Sequence, residues 1–278
     1  MGIGLHGDFI GFSFNGIHSS ELGITRVSDG SRYNDNLLPT SQDKTAVIPG
    51  GDGTYYWETN YTQKPFNINI AFDDLSEEQY KNLRQVFSTK KLGKLIFDET
   101  DYKYYMAKPT GTPQLKTICF DGEDSESNPT RIYKGEGTIQ FTAYYPYAKS
   151  VDSVTGEGTE FKINNIGDLE MDFYLFIAFP EEGTKLELES IYLSKDKSTR
   201  EILRFDNELE KQEEDSGIRI NTKTNLIEGI DANGKVTGTL YNKHIHSGEF
   251  FKIPVGEYDL SVGGTNIDGS IEYQYIYY

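Results

Sequence analysis

Phe66-Asn67-Ile68-Asn69-Ile70-Ala71-Phe72, followed by Asp73-Asp74-Leu75-Ser76-Glu77-Glu78-Gln79-Tyr80, carries both secondary-structure periods of the chain in one stretch. Phe66, Ile68, Ile70 and Phe72 alternate with Asn67, Asn69 and Ala71, a period of two that marks a strand with one buried face. The period then breaks. Ser76 with Gln79 three residues on has the spacing of a capping box, and Leu75 and Tyr80 stand where a hydrophobic staple packs. Glu77 and Glu78 occupy the positive end of a helix dipole. Tyr80, Leu83 and Phe87 continue as a helical stripe, closed by Lys90, Lys91 and Gly93. The spacing predicts one helix over about residues 76–89, packed on a sheet.

Outward from this stretch the strand period dominates. Ile139, Phe141 and Ala143 alternate with Thr138, Gln140 and Thr142, and Leu186 and Leu188 with Glu187 and Glu189. Ile271, Tyr273, Tyr275 and Tyr277 fall on one face of a strand, and Phe173 to Phe179 is apolar on both, as in a central strand covered twice. Asn233-Gly234, between Ile230 and Val236, is the signature of a type I′ hairpin turn. With 20 Tyr, 16 Phe, 1 Trp and 28 Gly, the composition is that of pleated, half-buried surfaces separated by turns. The fold class is mainly β.

A length of 278 residues predicts about two domains. A polar connector, Ser150 to Glu160, follows Tyr145-Pro146-Tyr147 and places the boundary at 1–148 and 149–278. Charge steps there too: 14 basic and 19 acidic residues precede it, 13 and 25 follow. Residues 121–131 are a second polar stretch, expected as an exposed loop. A net charge of −17 repels phosphate backbones and argues against grip on nucleic acid. No run reaches the ~18 apolar residues of a membrane span. The start, MGIGLHGDFIGF, lacks the basic and apolar regions of a signal peptide and the myristoylation pattern at Gly2. No fixed-period repeat is present.

The search for chemistry finds none. His244 and His246 would share a strand face, but no third ligand has metal-site spacing, and His6 and His18 stand apart from them. Glu208, Glu210, Glu213, Glu214 and Asp215 form a run that reads as a solvated loop face. Pro49-Gly50-Gly51-Asp52-Gly53 lacks the Lys-Ser/Thr and the following helix of a phosphate loop, and reads as a hairpin tip. No nucleophile elbow or HExxH helix occurs. Cys119, in Thr117-Ile118-Cys119-Phe120, reads as a buried, inert thiol in an apolar strand. Neither enzyme activity nor a cofactor or metal is expected.

Phe12-Ser13-Phe14-Asn15-Gly16-Ile17-His18-Ser19-Ser20-Glu21-Leu22-Gly23-Ile24 resembles the opening of the distal tail (Dit) proteins of long-tailed bacteriophages. The order that follows is similar to that family: Ile48 to Gly53, the strand from Phe66 to Phe72, the capped helix, Lys94 to Asp98, Tyr104 to Ala107, and Gly135 to Phe141 with Tyr145-Pro146-Tyr147. The later half matches more loosely, through Asn164 to Asp168, Gly217 to Asn221 and Gly248 to Gly256. One departure is Phe87, where many relatives carry tryptophan. The resemblance implies an N-terminal β-sandwich with one flanking helix and a protruding hairpin, and a C-terminal galectin-like jelly-roll β-sandwich. It implies a homohexameric ring, built by the first domain, that joins the tail tube to the baseplate or tail tip and leaves a channel for DNA ejection. The implied partners are further copies of the chain, the tail tube protein, a tail-tip protein and receptor-binding proteins, with DNA only in transit and no membrane. The implied location is the tail tip of the virion, after synthesis in the host cytoplasm.

Residue chemistry and resemblance meet at 43–62. There Val47, Ile48, Tyr55, Tyr56 and Trp57 surround a glycine-rich tip, more aromatic surface than one hairpin of a monomer ordinarily shows. These five residues are the candidate intersubunit arm, and the competing reading puts them in their own domain's core. Net negative charge suits a conduit that must not hold DNA. Two rival functions stand beside the hub. One is a carbohydrate-binding, lectin-like tail module that stacks sugar on Tyr273, Tyr275, Tyr277 or Tyr278, although packing is the commoner use of such tyrosines. The other is a glycan-hydrolysing tail enzyme, against which the missing catalytic constellation argues.

Overall fold

A computed structural model describes residues 11–27, 38–123, 129–180, 185–195, 198–205 and 208–278. The N-terminal stretch through Ile10, His6 included, and the centre of the 121–131 stretch lie outside the described residues. The chain is mainly β and divides into two compact units, Met1–Lys149 with Tyr278, and Ser150–Tyr277.

The first unit contains β1 (Phe12–Phe14), β2 (Ile17–His18), β3 (Thr25–Arg26), β4 (Thr40–Val47), β5 (Thr54–Ser76), α1 (Glu77–Phe87), β6 (Gly93–Phe97), β7 (Lys103–Glu123) and β8 (Pro129–Ala143), and β9 (Ala148–Ser150) marks the step to the second. The sheet runs in the order β2-β1-β6-β7-β8-β5-β3, with β4 on the far half of β5. β8 is the spine: Lys64 to Ser76 of β5 pair with Ala143 back to Ile132 on one side, and Ala107 to Glu123 of β7 pair with Ala143 back to Pro129 on the other. Ile68, Ile70 and Phe72 of β5 are buried opposite Ile139 and Phe141 of β8 and their neighbours, as the alternation requires.

The capping box forms as the sequence predicts. Ser76 Oγ accepts the Gln79 N–H at 3.3 Å, and Gln79 Oε1 accepts the Ser76 N–H at 2.9 Å. α1 turns Leu83 and Phe87 inward. The Phe87 ring lies 6.3 Å from Phe12, 6.4 Å from Phe14 and 5.9 Å from Phe141, so phenylalanine fills this corner among three other rings. Burial of side chains this size stabilises by about 1.5–3 kcal/mol each.

The polar stretch at 121–131 is not a plain loop. β7 and β8 run on through it, pairing Asp121 with Arg131, Gly122 with Thr130 and Glu123 with Pro129, so the unit has a second long hairpin.

The second unit contains β10 (Val154–Glu157), β11 (Glu160–Asn165), β12 (Phe173–Ala178), β13 (Lys185–Lys195), β14 (Ser198–Phe205), β15 (Leu209–Glu210), β16 (Gly217–Asn221), β17 (Leu226–Ile230), β18 (Val236–Leu240), β19 (Ile245–Gly248), β20 (Gly256–Thr265), β21 (Asp268–Tyr273) and β22 (Ile276–Tyr277). One antiparallel sheet runs β10-β21-β12-β16-β17-β18; the other runs β11-β20-β13-β14-β19, with β15 on β13. Both supply the core, through Leu175, Ile177, Ile218, Ile220 and Ile227 from the first and Leu186, Leu188, Ile191, Leu203 and Leu260 from the second.

Three local expectations change here. β12 is central but covered on one face: Phe173, Leu175 and Ile177 are buried, while Tyr174 and Phe176 are half-buried on the other side. The alternation of the last tyrosines stops at Tyr273, because the chain leaves the strand at Gln274-Tyr275 and returns with Ile276 inward. Asn233-Gly234 does not make a two-residue I′ turn. Only Gly234 has positive φ, 75°, and Asp231 Oδ1 accepts the N–H groups of Asn233 at 2.8 Å and Lys235 at 2.9 Å, closing a longer loop.

Candidate functional site

β4 and the first part of β5 form a two-stranded ribbon, in register from Thr40 with Gln63 to Val47 with Thr54. Ile48 to Gly53 make the tip. Ile48 N–H donates to Gly53 O at 3.4 Å and Gly51 N–H to Ile48 O at 3.3 Å. Gly50 (φ 74°) and Gly53 (φ 104°) take left-handed backbone that side chains resist, which explains the glycines of the tip. Across Lys44/Thr45 the register shifts: Lys44 faces Glu58 while Thr45 faces Tyr56, leaving Trp57 as the extra residue of a bulge.

None of the three aromatics is covered. Tyr55 is 62% exposed, Tyr56 60% and Trp57 63%, with Val47 at 75%; Ile48, in the tip, is half-buried. The reading that placed these residues in their own domain's core does not hold for the described chain. Polar ties hold the ribbon's shape instead. Lys44 pairs with Glu58 and holds its carboxyl below the usual range, first through a hydrogen bond and then through charge. Tyr56 Oη lies 2.8 Å from Thr59 Oγ1, which donates to Asp43 at 2.6 Å. Exposed ion pairs add little stability, so the backbone ladder carries the ribbon.

A second exposed apolar stripe escaped the sequence reading. Ile118 (69% exposed) and Phe120 (46%) lie on the outer part of β7, and Cys119 between them is exposed, not the buried thiol expected. Its cross-strand partner Tyr133 stacks on Tyr80 of α1, with centroids 4.4 Å apart and planes within 6°. The Tyr80–Tyr133 stack thus lies on the Cys119 face of the hairpin, and alternation puts Ile118 and Phe120 on the other.

Other candidates are absorbed by the fold. His18 Nδ1 accepts the Ser20 N–H at 3.3 Å and so caps the short turn Ser19–Leu22, while its Nε2 lies 3.2 Å from the Asp98 carboxylate. Asp98 also accepts the Gly11 N–H at 2.6 Å, so the trio fastens β1 and β2 to the end of β6. Asp215 leaves the acidic run: it is 1% exposed and accepts hydroxyls from Tyr241 at 2.5 Å and Thr237 at 2.6 Å. His244 sits beside Tyr241, with ring centroids 6.0 Å apart, and the described residues hold no cluster of three His, Cys, Asp or Glu with metal-ligand placement. Tyr273 is 6% exposed, with burial pushing its hydroxyl up to about 12, so it offers no stacking face; Tyr275 and Tyr277 are half-buried. Tyr278 groups with the first unit, its ring 6.4 Å from Tyr61 and 5.9 Å from Tyr147.

Residues 17–143 match the family described as phage tail protein RIFT-related domain. That match falls within the first unit. Over the whole chain the fold is similar to the crystal structure of the SPP1 Dit (gp 19.1) protein, described as a paradigm of the hub adsorption apparatus in phages infecting Gram-positive hosts. The TM-score is 0.64 at 10% identity, covering 98% of this chain and 100% of that one. A chain of the phage P2 baseplate in its activated conformation with Ca aligns at 12% identity over 87% of this chain and 88% of that one, with a TM-score of 0.39. Comparison of the sequence with curated proteins finds no match. The chain has the fold of that distal tail protein, and the match of residues 17–143 to a phage tail model supports a structural role in a phage tail.

Proposed function

We propose that this chain is a ring-forming hub of a phage tail tip. Six copies assemble through the first domain, residues 1–148, and join the end of the tail tube to the baseplate or tip, around a channel that passes DNA. Residues 149–278 form a galectin-like β-sandwich that faces tail-tip and receptor-binding proteins. Val47, Ile48, Tyr55, Tyr56 and Trp57 are the intersubunit arm. The observation that carries this reading is the ribbon itself, since its aromatics are exposed on a scaffold that stands without them. A closed ring would bury them at every equivalent contact. Net charge of −17 adds that a channel through such a ring repels the phosphate backbone.

Light scattering over a concentration series tests it, with a hexamer or a hexamer-forming equilibrium expected. Trp57→Ala removes an aromatic anchor, for which about 2 kcal/mol or more per interface is typical. The variant is expected to shift strongly toward monomer with an unchanged thermal midpoint, because Trp57 packs on little of its own chain. A wild-type chain that stays monomeric at every concentration, or a Trp57→Ala variant that unfolds while its folded remainder still forms rings, overturns the reading.

A further inference from the structure

Along the ribbon's part of β5, Thr54 to Gln63, one residue is not exposed: Tyr61 is half-buried. The rings beside it are Tyr147 and Tyr278. Their centroids each lie 6.4 Å from that of Tyr61, with planes at 80° and 77° to it, and they stand 5.9 Å from each other at 72°. Three tyrosines from three segments thus meet edge-on, an arrangement that aromatic rings favour. Tyr147 is seated between buried Pro146 and buried Ala148. Tyr278 is held from the sheet side, where Tyr105 Oη of β7 donates to its backbone oxygen at 3.0 Å. Lys64 Nζ in turn donates to Tyr105 Oη at 3.2 Å. Lys64 is 2% exposed, its ammonium 5.1 Å from the Tyr105 ring centre and 5.9 Å from that of Phe66. Lys64 is also where β5 changes partner, since Gln63 pairs with Thr40 of β4 and Lys64 with Ala143 of β8. From Tyr61 through Tyr278 and Tyr105 to Lys64, the contacts close a circuit around that change.

We infer that Tyr278 is a stay for the ribbon: by bracing Tyr61 at the root it fixes the direction in which Val47 and Tyr55 to Trp57 are presented. A two-stranded ribbon is marginal by itself and twists strongly. The ladder between β4 and β5 holds the two strands to each other but does not set their angle to the sheet. That angle is set where the ladder changes partner, and there Tyr61 is the side chain of β5's ribbon half that meets other rings. A buried ammonium is costly unless it is hydrogen-bonded, so Lys64 and Tyr105 form a rigid seat for the Tyr278 backbone and not a loose surface contact. Tyr278 comes directly after β22 in the chain, so the pose of the ribbon depends on a residue far from it in sequence. The stay acts within one copy. It therefore holds whether or not the ribbon is an intersubunit arm, and if the ribbon is one, Tyr278 is a positioning residue for it.

Trp57 is the sole tryptophan and stands on the ribbon, so its emission reports the ribbon alone. In the full-length chain, Tyr278→Ala is expected to add a fast, large-amplitude component to the time-resolved anisotropy of Trp57. Amide exchange at the root, residues 40–41 and 61–63, should quicken about tenfold as two ring contacts are lost. Exchange in α1 and from Ile68 to Phe72 should stay as in the wild type. Tyr278→Phe, which keeps the ring, should restore both readouts. Tyr61→Ala should match Tyr278→Ala, and the double variant should be no looser than either, because both remove one contact. Each sample is held at low concentration with its oligomeric state recorded by light scattering, since a ring would itself still Trp57. Unchanged anisotropy and root exchange in Tyr278→Ala overturn the stay and leave the ring reading standing. Exchange that quickens through the whole unit, α1 included, overturns it too, because Tyr278 then holds the fold and not the ribbon. Additive effects of Tyr61→Ala and Tyr278→Ala overturn the contact between them. A wild type that is monomeric at every concentration, with a ribbon that Tyr278→Ala loosens, ends the ring reading and leaves the stay.

Discussion

The two halves of β5 share one backbone and oppose each other in everything else. From Lys64 to Ser76 the strand is held by β8, and its apolar side chains alternate cleanly inward, with Ile68 2% exposed, Ile70 1% and Phe72 3%. From Thr54 to Gln63 it is held, among the described residues, by β4, and Tyr55, Tyr56 and Trp57 are each about 60% exposed. β-propensity is high in both halves, so propensity does not tell a core from an interface. What separates them is the pattern: strict alternation in the inner half, three consecutive aromatics in the outer. A consecutive run places rings on both faces of a ribbon, and among the described residues of the unit none covers them.

The largest test of that contrast lies in the inner half. Ile70→Ala removes a fully buried side chain and leaves a cavity, at a cost of about 2–5 kcal/mol. The first unit should lose that much in denaturant unfolding, and any oligomer should disappear only as the unit unfolds. Trp57→Ala should show the reverse order. If Ile70→Ala dissociates a still-folded chain, the division of β5 into core and contact surface fails.

A smaller effect comes from an aromatic buried in the second unit. Tyr241 is 2% exposed and donates to the buried Asp215 at 2.5 Å. Tyr241→Phe leaves that carboxylate with Thr237 as its remaining hydroxyl partner, and hydrogen bonds to charged groups are worth about 1.5–3 kcal/mol. Burial first, then the bond to Asp215, holds the Tyr241 hydroxyl well above its ordinary value, and burial moves Tyr273 in the same direction. A raised tyrosine pKa in the folded chain means that the protonated form is favoured by folding. That stability is fully present below the ordinary tyrosine pKa of about 10 and is lost as pH rises past it. Denaturant unfolding of the wild type should therefore weaken between about pH 10 and 12, and Tyr241→Phe should flatten part of that slope. An unchanged slope would show that Tyr241 is not held protonated by the fold.

How much of this was legible follows the range of the cause. The alternation at 66–72 and the capping box at Ser76 are written within a few residues, and both appear as the sequence predicts. The run reads as solvated because what buries Asp215, Thr237 and Tyr241, lies 22 to 26 residues away, past at least two strands and their turns. Cys119 was misread for a different reason. Its apolar neighbours Ile118 and Phe120 suggest burial, yet they are themselves exposed, so apolar flanks here signal a surface and not a core. Asn233-Gly234 lost to the Asp231 side chain, which organises a longer loop than the dipeptide specifies. The ribbon is intermediate. Its tip glycines and aromatics stand out in the sequence, but only the structure shows that among the described residues β4 is the strand beside them and leaves them exposed.

The last and smallest test sits where β5 ends. Ser76 is both the final residue of the strand and the N-cap of α1, and its hydroxyl accepts the Gln79 N–H. Ser76→Ala leaves that donor without its side-chain partner and should cost about 1 kcal/mol. In a unit of this size that is a fall of roughly 3 °C in the thermal midpoint. Ser76→Asp keeps an acceptor at the cap and places negative charge at the helix N-terminus, so it should restore the midpoint. Neither change touches the ribbon or the Ile118–Phe120 stripe, and the oligomer should persist in both at temperatures where the unit is folded. The position thus separates a helix that merely closes the core over Phe87 from one that takes part in assembly. If Ser76→Ala dissolves the oligomer with its midpoint unmoved, the helix end belongs to the contact surface, and β5 would carry interface at both ends instead of one.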